Sequence, residues 1–336
     1  MRRFIIISII LSCCGGSAEP LPSEVDEEPK VAEQVLANED KKQETTTTQQ
    51  ETTTTQQETT TTQQETTTTV PDAVLSNIKN LKTRGVSPHM EVVDSTTIRI
   101  FYSSLDVMGL AVDLCDFDLN CTRQGVVNRV QDLTLITTLD GVRRGYFVEL
   151  NPNTKSKEIY TAIFSEDGLS YTDAKALGFS DGGSMAWGVP DAVLLPDGRV
   201  RLYWVAESEG MRGEKIVSAT SESTLGINFI RDPGYRFEDG YVDFEVLIAE
   251  NNNWKAVFSY SPEGLPKIPQ SIFYGTSKDG LDWEFTGNPI SPLDVSYLDP
   301  TGILLDDGTY LLVSSVAPNE LGDREYILYS MILTLP

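Results

Sequence analysis

Short runs of apolar residues alternate with polar ones from about residue 85 to the C-terminus, and tight turns separate them. The clearest example is residues 188–204, where Pro196-Asp197-Gly198 has the composition of a hairpin turn between two stretches rich in aliphatic and aromatic residues. Alternation with a period of two and turns rich in Gly, Pro and Asp indicate β-strands joined by hairpins. Because no segment carries a long apolar stripe at helical spacing, the pattern predicts an all-β fold.

The strand pairs recur at nearly regular intervals. Four copies carry an acidic marker on the first strand: Asp132, Asp191, Asp243 and Asp299. The markers are 59, 52 and 56 residues apart, which is the length of a four-stranded blade with short loop insertions. A degenerate first copy, residues 87–93, brings the number of copies to five. We therefore expect residues 71–336 to form one domain, a five-bladed β-propeller whose blades each present a polar side chain to a central channel.

The copies can be aligned in two ways. Counted from the second strand, Glu245 rather than Asp243 corresponds to Asp191. His89, the only histidine of the chain, then takes this position in the first copy, and Glu91 follows two residues later. Because side chains alternate between the two faces of a strand, a shift of two residues keeps the same face, and both sets are expected to point inward.

A second signature closes two of the repeats. Residues 165–171 and 277–283 both contain Ser-x-Asp-Gly followed by an aromatic residue. This composition is typical of a hairpin tip in which Ser and Asp side chains bond turn amides and Gly takes a positive φ. We therefore interpret Asp167 and Asp279 as structural residues.

The first seventy residues differ from the rest in composition. A charged start is followed by the apolar residues 4–11, a run too short to span a bilayer, which predicts an export signal over residues 1–13. Residues 14–70 are polar and end in four Glu-Thr-Thr-Thr-Thr units that offer neither an apolar seam nor good helix formers. They are predicted to be a disordered linker.

Charge and cysteine content narrow the functional classes. Residues 71–336 hold 21 basic and 38 acidic residues, a net charge of −17, which argues against binding to nucleic acid or anionic membranes. Cys115 and Cys121 lie six residues apart in a predicted hairpin and would form a disulfide in an oxidising compartment. A zinc site is the alternative, but two cysteines without a nearby histidine fall short of four ligands.

Two parts of the sequence resemble known families. Ile10-Leu11-Ser12-Cys13 resembles the bacterial lipobox, which implies lipidation of Cys13, or of the adjacent Cys14, and anchoring to the cell envelope, at the outer membrane or cell surface. Ordinary signal cleavage near Ala18 is the alternative. Residues 191–198, followed by an aromatic strand, resemble the repeat phrase of five-bladed glycoside hydrolases of families 43 and 32, which include arabinanases, xylosidases and invertases. The tip at 277–283 is similar to their hairpin tips and to the Asp-boxes of sialidases.

The resemblance to the propeller hydrolases implies that channel carboxylates bind and hydrolyse a glycosidic bond. By chain order it assigns Glu91 as base, Asp191 as the orienting carboxylate and Glu245 as acid. The remaining inward residues are expected to bind the substrate: His89, Asp132, Asp243, Asp299 and Trp187. The first blade departs from the family because His89 stands where an aspartate is expected.

Other interpretations remain open at this point. A non-catalytic propeller that binds a glycan or a protein is the main alternative, and a sialidase-like hydrolase is the third, although no arginine lies in the Arg-Ile-Pro phrase of that family. No cofactor is implied, apart from the axial calcium ion of some relatives. We expect a monomer with a carbohydrate partner that contacts membranes only through a lipid anchor.

Overall fold

The computed structural model describes residues 73–151, 153, 157–179, 188–206, 214–237, 240–260, 269–285, 287–317 and 325–336. The predicted signal, the linker, Cys13 and Trp187 lie outside these residues. Every regular element in the described part is a β-strand, which confirms the prediction of an all-β fold. No helix that could cross a membrane occurs in that part of the chain.

The strands follow one another along the chain with short turns between them. The first ten are β1 (Val74–Asp94), β2 (Thr97–Ser104), β3 (Leu110–Asp116), β4 (Cys121–Val127), β5 (Gln131–Thr137), β6 (Arg143–Leu150), β7 (Lys157–Phe164), β8 (Tyr171–Ala176), β9 (Gly188–Leu194) and β10 (Val200–Ala206). They are followed by β11 (Lys215–Ser221), β12 (Phe229–Arg231), β13 (Tyr241–Glu250), β14 (Asn253–Tyr260), β15 (Ser271–Ser277), β16 (Trp283–Phe285), β17 (Ser296–Leu304), β18 (Tyr310–Ala317) and β19 (Ile327–Thr334).

The strands pair as antiparallel meanders. Three sheets have four strands each, β5 to β8, β9 to β12 and β13 to β16, and a fourth sheet has the order β17-β18-β19-β1-β2-β3-β4. In this seven-stranded sheet, residues 74–84 of β1 pair with β19 and residues 85–94 pair with β2. The long first strand therefore joins the last meander of the chain to the first.

The first strands of the meanders lie side by side in a closed series. β1 contacts β5, β5 contacts β9, β9 contacts β13, β13 contacts β17, and β17 contacts β1. Apolar clusters fill the spaces between neighbouring sheets. In one of them, Tyr203 packs against Phe244, with ring centroids 4.9 Å apart, and both side chains are buried. Each four-stranded sheet thus contributes to two adjacent cores, and the seven-stranded sheet contributes to three.

The Ser-x-Asp-Gly tips dock on the preceding sheet. Within one tip, the Ser277 hydroxyl lies 3.1 Å from the Asp279 carboxylate, which accepts the amide of Leu281 at 2.8 Å. Arg201 Nη1 of β10 donates to the carbonyl of Asp279 at 2.7 Å, and Tyr203 donates to that of Gly280 at the same distance. These contacts make the tip a latch between two sheets.

A disulfide closes the hairpin between β3 and β4. Cys115 and Cys121 face each other in register, with a Cα–Cα distance of 4.0 Å. Cys115 is buried among the apolar residues between β1 to β3 and β17 to β19. The bond therefore ties the exposed strand β4 to a strand that belongs to the core.

Candidate functional site

A ring of polar side chains ties each first strand to the next. In every case a side-chain acceptor receives a backbone N–H from the neighbouring first strand. The pairs are Leu135 to His89 Nε2 at 3.2 Å, Ala192 to Thr134 Oγ1 at 3.3 Å, Val246 to Asp191 Oδ2 at 2.9 Å, Gly302 to Glu245 Oε1 at 3.0 Å and Met90 to Thr301 Oγ1 at 3.3 Å. We call these acceptors the ring residues: His89, Thr134, Asp191, Glu245 and Thr301. In each pair, the N–H donor is the residue immediately after the ring residue of the neighbouring first strand. The same arrangement recurs five times, so the five positions are structurally equivalent.

Two ring residues form a carboxyl–carboxylate pair. Asp191 and Glu245 share a hydrogen bond between their carboxyl groups. Burial raises the pKa of Asp191 to about 7. Burial and the neighbouring charge of Asp191 raise the pKa of Glu245 well above its usual value. Because two adjacent buried carboxylates repel each other, the pair retains one proton near neutral pH.

His89 is a neutral member of the ring. Burial lowers its pKa to about 4, with an opposing effect from Glu91 and a further lowering by Arg143. Its Nε2 accepts the amide of Leu135, which requires this nitrogen to be unprotonated. His89 therefore serves as a hydrogen-bond acceptor, the same task that carboxylates and threonines perform elsewhere in the ring.

A second set of equivalent residues lies two positions before the ring residues. We call them the mouth residues: Ser87, Asp132, Val189, Asp243 and Asp299. All five have positive φ values, between 39° and 53°. In each case the strand pairing shifts its register at this point, as at a β-bulge. The bulge changes where a side chain is aimed, so the two sets occupy different levels along the channel.

The mouth residues line a pocket of about 290 Å³ at one end of the first strands. Three of them supply carboxylates, and polar side chains from farther out complete the wall: Gln131, Lys157, Glu214, Gln270 and Tyr326. A smaller cavity of about 30 Å³ lies against both levels and is large enough for a water molecule.

Hydrogen bonds fix the three carboxylates. Asp243 Oδ2 accepts the amide of Asp299 at 3.2 Å. Asp299 Oδ2 accepts the amide of Ser87 at 3.1 Å and the hydroxyl of Ser315 at 3.2 Å. Asp132 bonds the side chain of Ser87. The carboxylates are therefore held in position before any ligand arrives.

The three mouth carboxyls all have raised pKa values. Burial raises the pKa of Asp132 to about 6, and the charge of Asp299 adds to this effect. Burial also raises the pKa of Asp299, and burial together with Asp299 raises that of Asp243 well above its usual value. Asp243 and Asp299 also share a hydrogen bond between their carboxyl groups. The pocket thus places three carboxyls with raised pKa values close to one another.

Glu91 lies in a different environment from Asp191 and Glu245. It forms an ion pair with Arg99 and a two-oxygen contact with Arg143 Nη2 at 2.6 Å. These residues line a separate groove together with Ser165 and Glu166. The structure therefore brings Asp191 and Glu245 together and places Glu91 among arginines.

Acidic markers in the sequence do not reveal Thr134 and Thr301 as ring residues, or Ser87 and Val189 as mouth residues, because the ring requires only a hydrogen-bond acceptor. A signal was nevertheless present, because Pro88, Pro190 and Pro300 each stand between a mouth residue and a ring residue. Aligning these prolines places His89, Asp191 and Thr301 in one column.

Within the ranges that the structure describes, no group of three or more His, Cys, Asp or Glu residues is arranged to hold a metal ion.

The sequence matches no protein-family model, and no curated protein shows significant similarity to it. Solved structures do match. An endo-1,4-β-xylanase from Bacteroides thetaiotaomicron superposes with a TM-score of 0.56 at 11% identity, covering 75% of this chain and 91% of the xylanase. An α-L-arabinofuranosidase from Lactobacillus brevis gives a TM-score of 0.54 at 13% identity, over 78% and 93% of the two chains.

An endo-arabinase from Bacteroides thetaiotaomicron gives a TM-score of 0.57 at 12% identity and covers 77% of this chain and 96% of its own. These neighbours are glycoside hydrolases that share a β-propeller fold. At such low identity the similarity shows the fold alone, and this chain therefore has a β-propeller fold.

Proposed function

We propose that this protein is a five-bladed β-propeller that binds a carbohydrate in the mouth pocket and hydrolyses a glycosidic bond there. The five equivalent ring and mouth positions support the blade count. The observation that best supports this function is a pocket on the axis that contains three positioned carboxyls, Asp132, Asp243 and Asp299. Their pKa values are raised, and the fold is one found in glycosidases. Perturbed carboxyls in a cleft are typical of catalytic sites.

The chemistry assigns a different role to each carboxyl. Asp243 holds its proton and donates it to the leaving glycosidic oxygen as the bond from that oxygen to the anomeric carbon breaks. Asp132 takes a proton from the water molecule that attacks the anomeric carbon. Asp299 orients Asp243 through their hydrogen bond and keeps its pKa high. The glycosidic C–O bond breaks, and a new bond forms between the anomeric carbon and the oxygen of the water molecule. Asp243 loses one proton and Asp132 gains one, so the protons balance.

The pH dependence follows from the same carboxyls. Asp132 works as a base only when ionised, and its pKa is about 6. Asp243 works as an acid only when protonated. We expect kcat/KM to rise with pH up to an apparent pKa near that of Asp132 and to fall again as Asp243, whose pKa is raised by burial and by Asp299, loses its proton.

The experiment is to measure hydrolysis of a panel of aryl furanosides, pyranosides and sialosides by wild type, Asp243→Asn and Asp132→Asn. Losing the acid or the base is expected to lower kcat by about a hundredfold to ten-thousandfold. The competing assignment gives catalysis to Asp191 and Glu245, so Asp191→Asn and Glu245→Gln belong in the same series. Full activity in Asp243→Asn combined with loss in Asp191→Asn would favour the deeper pair, provided that the melting temperatures agree.

Binding without hydrolysis is the second candidate. The mouth residue of β9 is Val189, and that of β1 is Ser87. Neither can donate or accept a proton as a carboxyl does. Calorimetric binding of a sugar with no turnover on the aryl panel would favour this function.

Export and anchoring form a separate part of the proposal. The charged start, the short apolar run and Cys13 support an exported lipoprotein held at the cell envelope. Expression in bacteria with a labelled fatty acid tests this, because Cys13→Ser should abolish labelling. Labelling that persists until Cys14 is also replaced would move the anchor by one residue.

A further inference from the structure

The end of the first strands that lies opposite the mouth pocket carries exposed apolar side chains. We call this surface the far end. Val92 of β1, Leu194 of β9 and Leu304 of β17 each stand three residues after a ring residue and are 53%, 38% and 59% exposed. Val93 and Leu139, in the turn after β5, are exposed as well. Because exposed apolar side chains that gather at one place mark interaction surfaces, the far end is a candidate docking site.

Contacts between neighbouring strands join these residues into one surface. A Cβ placed on Gly198, in the turn after β9, would lie 2.8 Å from Cδ2 of Leu139, so the leucine lies against the adjacent turn. Val92 and Val93 line a groove of about 630 Å³ together with Thr137 at the end of β5. The far end is therefore continuous from β1 across β5 to β9.

Acidic residues surround the apolar ones. The last residues of the five first strands and the turns that follow them hold one basic residue, Arg199, and six exposed acidic residues: Asp94, Asp140, Asp197, Glu250, Asp306 and Asp307. Hydrogen bonds from turn residues lower the pKa of four of these carboxyls, which therefore stay ionised: Asp94, Asp140, Asp197 and Asp307. Glu166 and Asp167 extend the acidic surface along the wall of the groove.

Charge complementarity identifies the kind of partner that fits the far end. A second copy of the chain would set the same carboxylates against one another, and an anionic membrane would be repelled. Residues 14–70 of this chain hold twelve acidic and three basic residues, so the far end repels them as well. An apolar centre surrounded by carboxylates is complementary to a segment that carries both apolar and basic side chains.

We propose that the far end binds a segment of another protein that presents apolar side chains flanked by lysine or arginine. The apolar side chains pack against Val92, Leu194 and Leu304, and the basic ones pair with the carboxylates of the surrounding turns. In the groove, Glu166 and Asp167 receive a basic side chain. Because the far end and the mouth pocket lie at opposite ends of the first strands, docking leaves the mouth pocket open and does not depend on the proposed hydrolysis.

The experiment measures binding of three labelled synthetic peptides to the protein by fluorescence anisotropy. The first peptide contains leucine and lysine, the second has serine in place of leucine, and the third has glutamate in place of lysine. The leucine–lysine peptide is expected to bind at least about tenfold more tightly than either of the others, because only this peptide matches both the apolar and the acidic surface. In Val92→Lys and in Leu304→Lys its affinity should fall by about tenfold or more.

The matched control is Leu150→Lys, which adds the same charge at an exposed leucine on the mouth side, the last residue of β6. This variant should bind the leucine–lysine peptide as wild type does. All three substituted side chains are exposed, so the melting temperatures should agree; if one far-end variant fails to fold, the other still tests the surface.

The proposal is overturned if the leucine–lysine peptide does not bind, if either other peptide binds as tightly, or if all three lysine variants lose affinity equally. Dimerisation of wild type that Leu304→Lys abolishes would assign the far end to a second copy of the chain, and would overturn the proposal as well.

Discussion

At the scale of single residues, the ring residues show that one geometric task is met by four residue types. His, Thr, Asp and Glu all accept a backbone N–H from the next first strand. The requirement is an acceptor at the right depth, and charge is secondary. This explains why the repeat looked degenerate in sequence. It also gives Asp191 and Glu245 a structural role that does not depend on catalysis.

The raised pKa of Asp191 has a consequence for stability. Its pKa is about 7 in the folded state and 3.8 without the fold, so the folded state binds more protons between these values. The resulting stabilisation is complete at low pH and is lost as the pH rises through about 7. Asp191→Asn keeps the acceptor and cannot ionise. Between pH 5 and pH 8.5, wild type should therefore lose about 2 kcal/mol more unfolding free energy than the variant.

Urea unfolding of both proteins at the two pH values measures this difference. Glu250→Gln serves as the control because Glu250 is an exposed carboxylate at the end of β13. It should follow wild type at both pH values. Parallel losses in wild type and Asp191→Asn would contradict the assigned burial of the carboxyl.

At the scale of elements, the hairpin tips act as latches between sheets, and Arg201 is central to one of them. It donates to the carbonyl of Asp279 at 2.7 Å and to Thr220 at 3.1 Å, lies over the ring of Trp254, and is buried. Arg201→Ala removes the donor to the Asp279 carbonyl, the cation over Trp254 and the ion-pair partner of Asp232 at 3.5 Å, and should cost about 2–4 kcal/mol. The melting temperature is expected to fall by roughly 5–10 °C.

Arg199→Ala is the matched control for the latch. Arg199 is two residues earlier on the same hairpin and pairs with Asp197 at 2.8 Å, where both side chains are about half exposed. A surface ion pair contributes little, so its loss should change the melting temperature by about 2 °C or less. Equal shifts in the two variants would show that the tip does not tie the sheets together.

The elements also show what the sequence could predict. The strand repeat and the turn at Pro196-Asp197-Gly198 follow from alternation and turn composition, because these are local properties. The bulges do not follow from them. Simple alternation along a strand would keep Asp243 and Glu245 on one inward face, but a bulge between them separates a mouth position from a ring position. Only the pairing with neighbouring strands creates this difference, and no local pattern encodes it.

At the scale of the whole molecule, the described sheets close on themselves through β1. Residues 74–84 pair with β19 near the C-terminus, and residues 85–94 pair with β2. The first and last strands of the described residues therefore stabilise one sheet. Without the first part of β1, β19 would expose an unpaired edge and the apolar cluster around Met331 and Leu333 would lose cover.

This closure separates two truncations that differ by only fourteen residues. A chain that begins at Pro71 retains all of β1, and a chain that begins at Gly85 loses the part that pairs with β19. We expect the full chain and the chain from Pro71 to melt together, because the polar, Thr-rich residues before 71 offer no core. The chain from Gly85 should melt at least 10 °C lower or fail to fold, since it loses a strand's hydrogen bonds and the burial of Ala73.

Calorimetric scans of the three chains test both statements. If the chains from Pro71 and Gly85 melted at the same temperature, closure through β1 would contribute nothing to stability. If the full chain melted several degrees above the chain from Pro71, the residues before 71 would have to contribute to the fold.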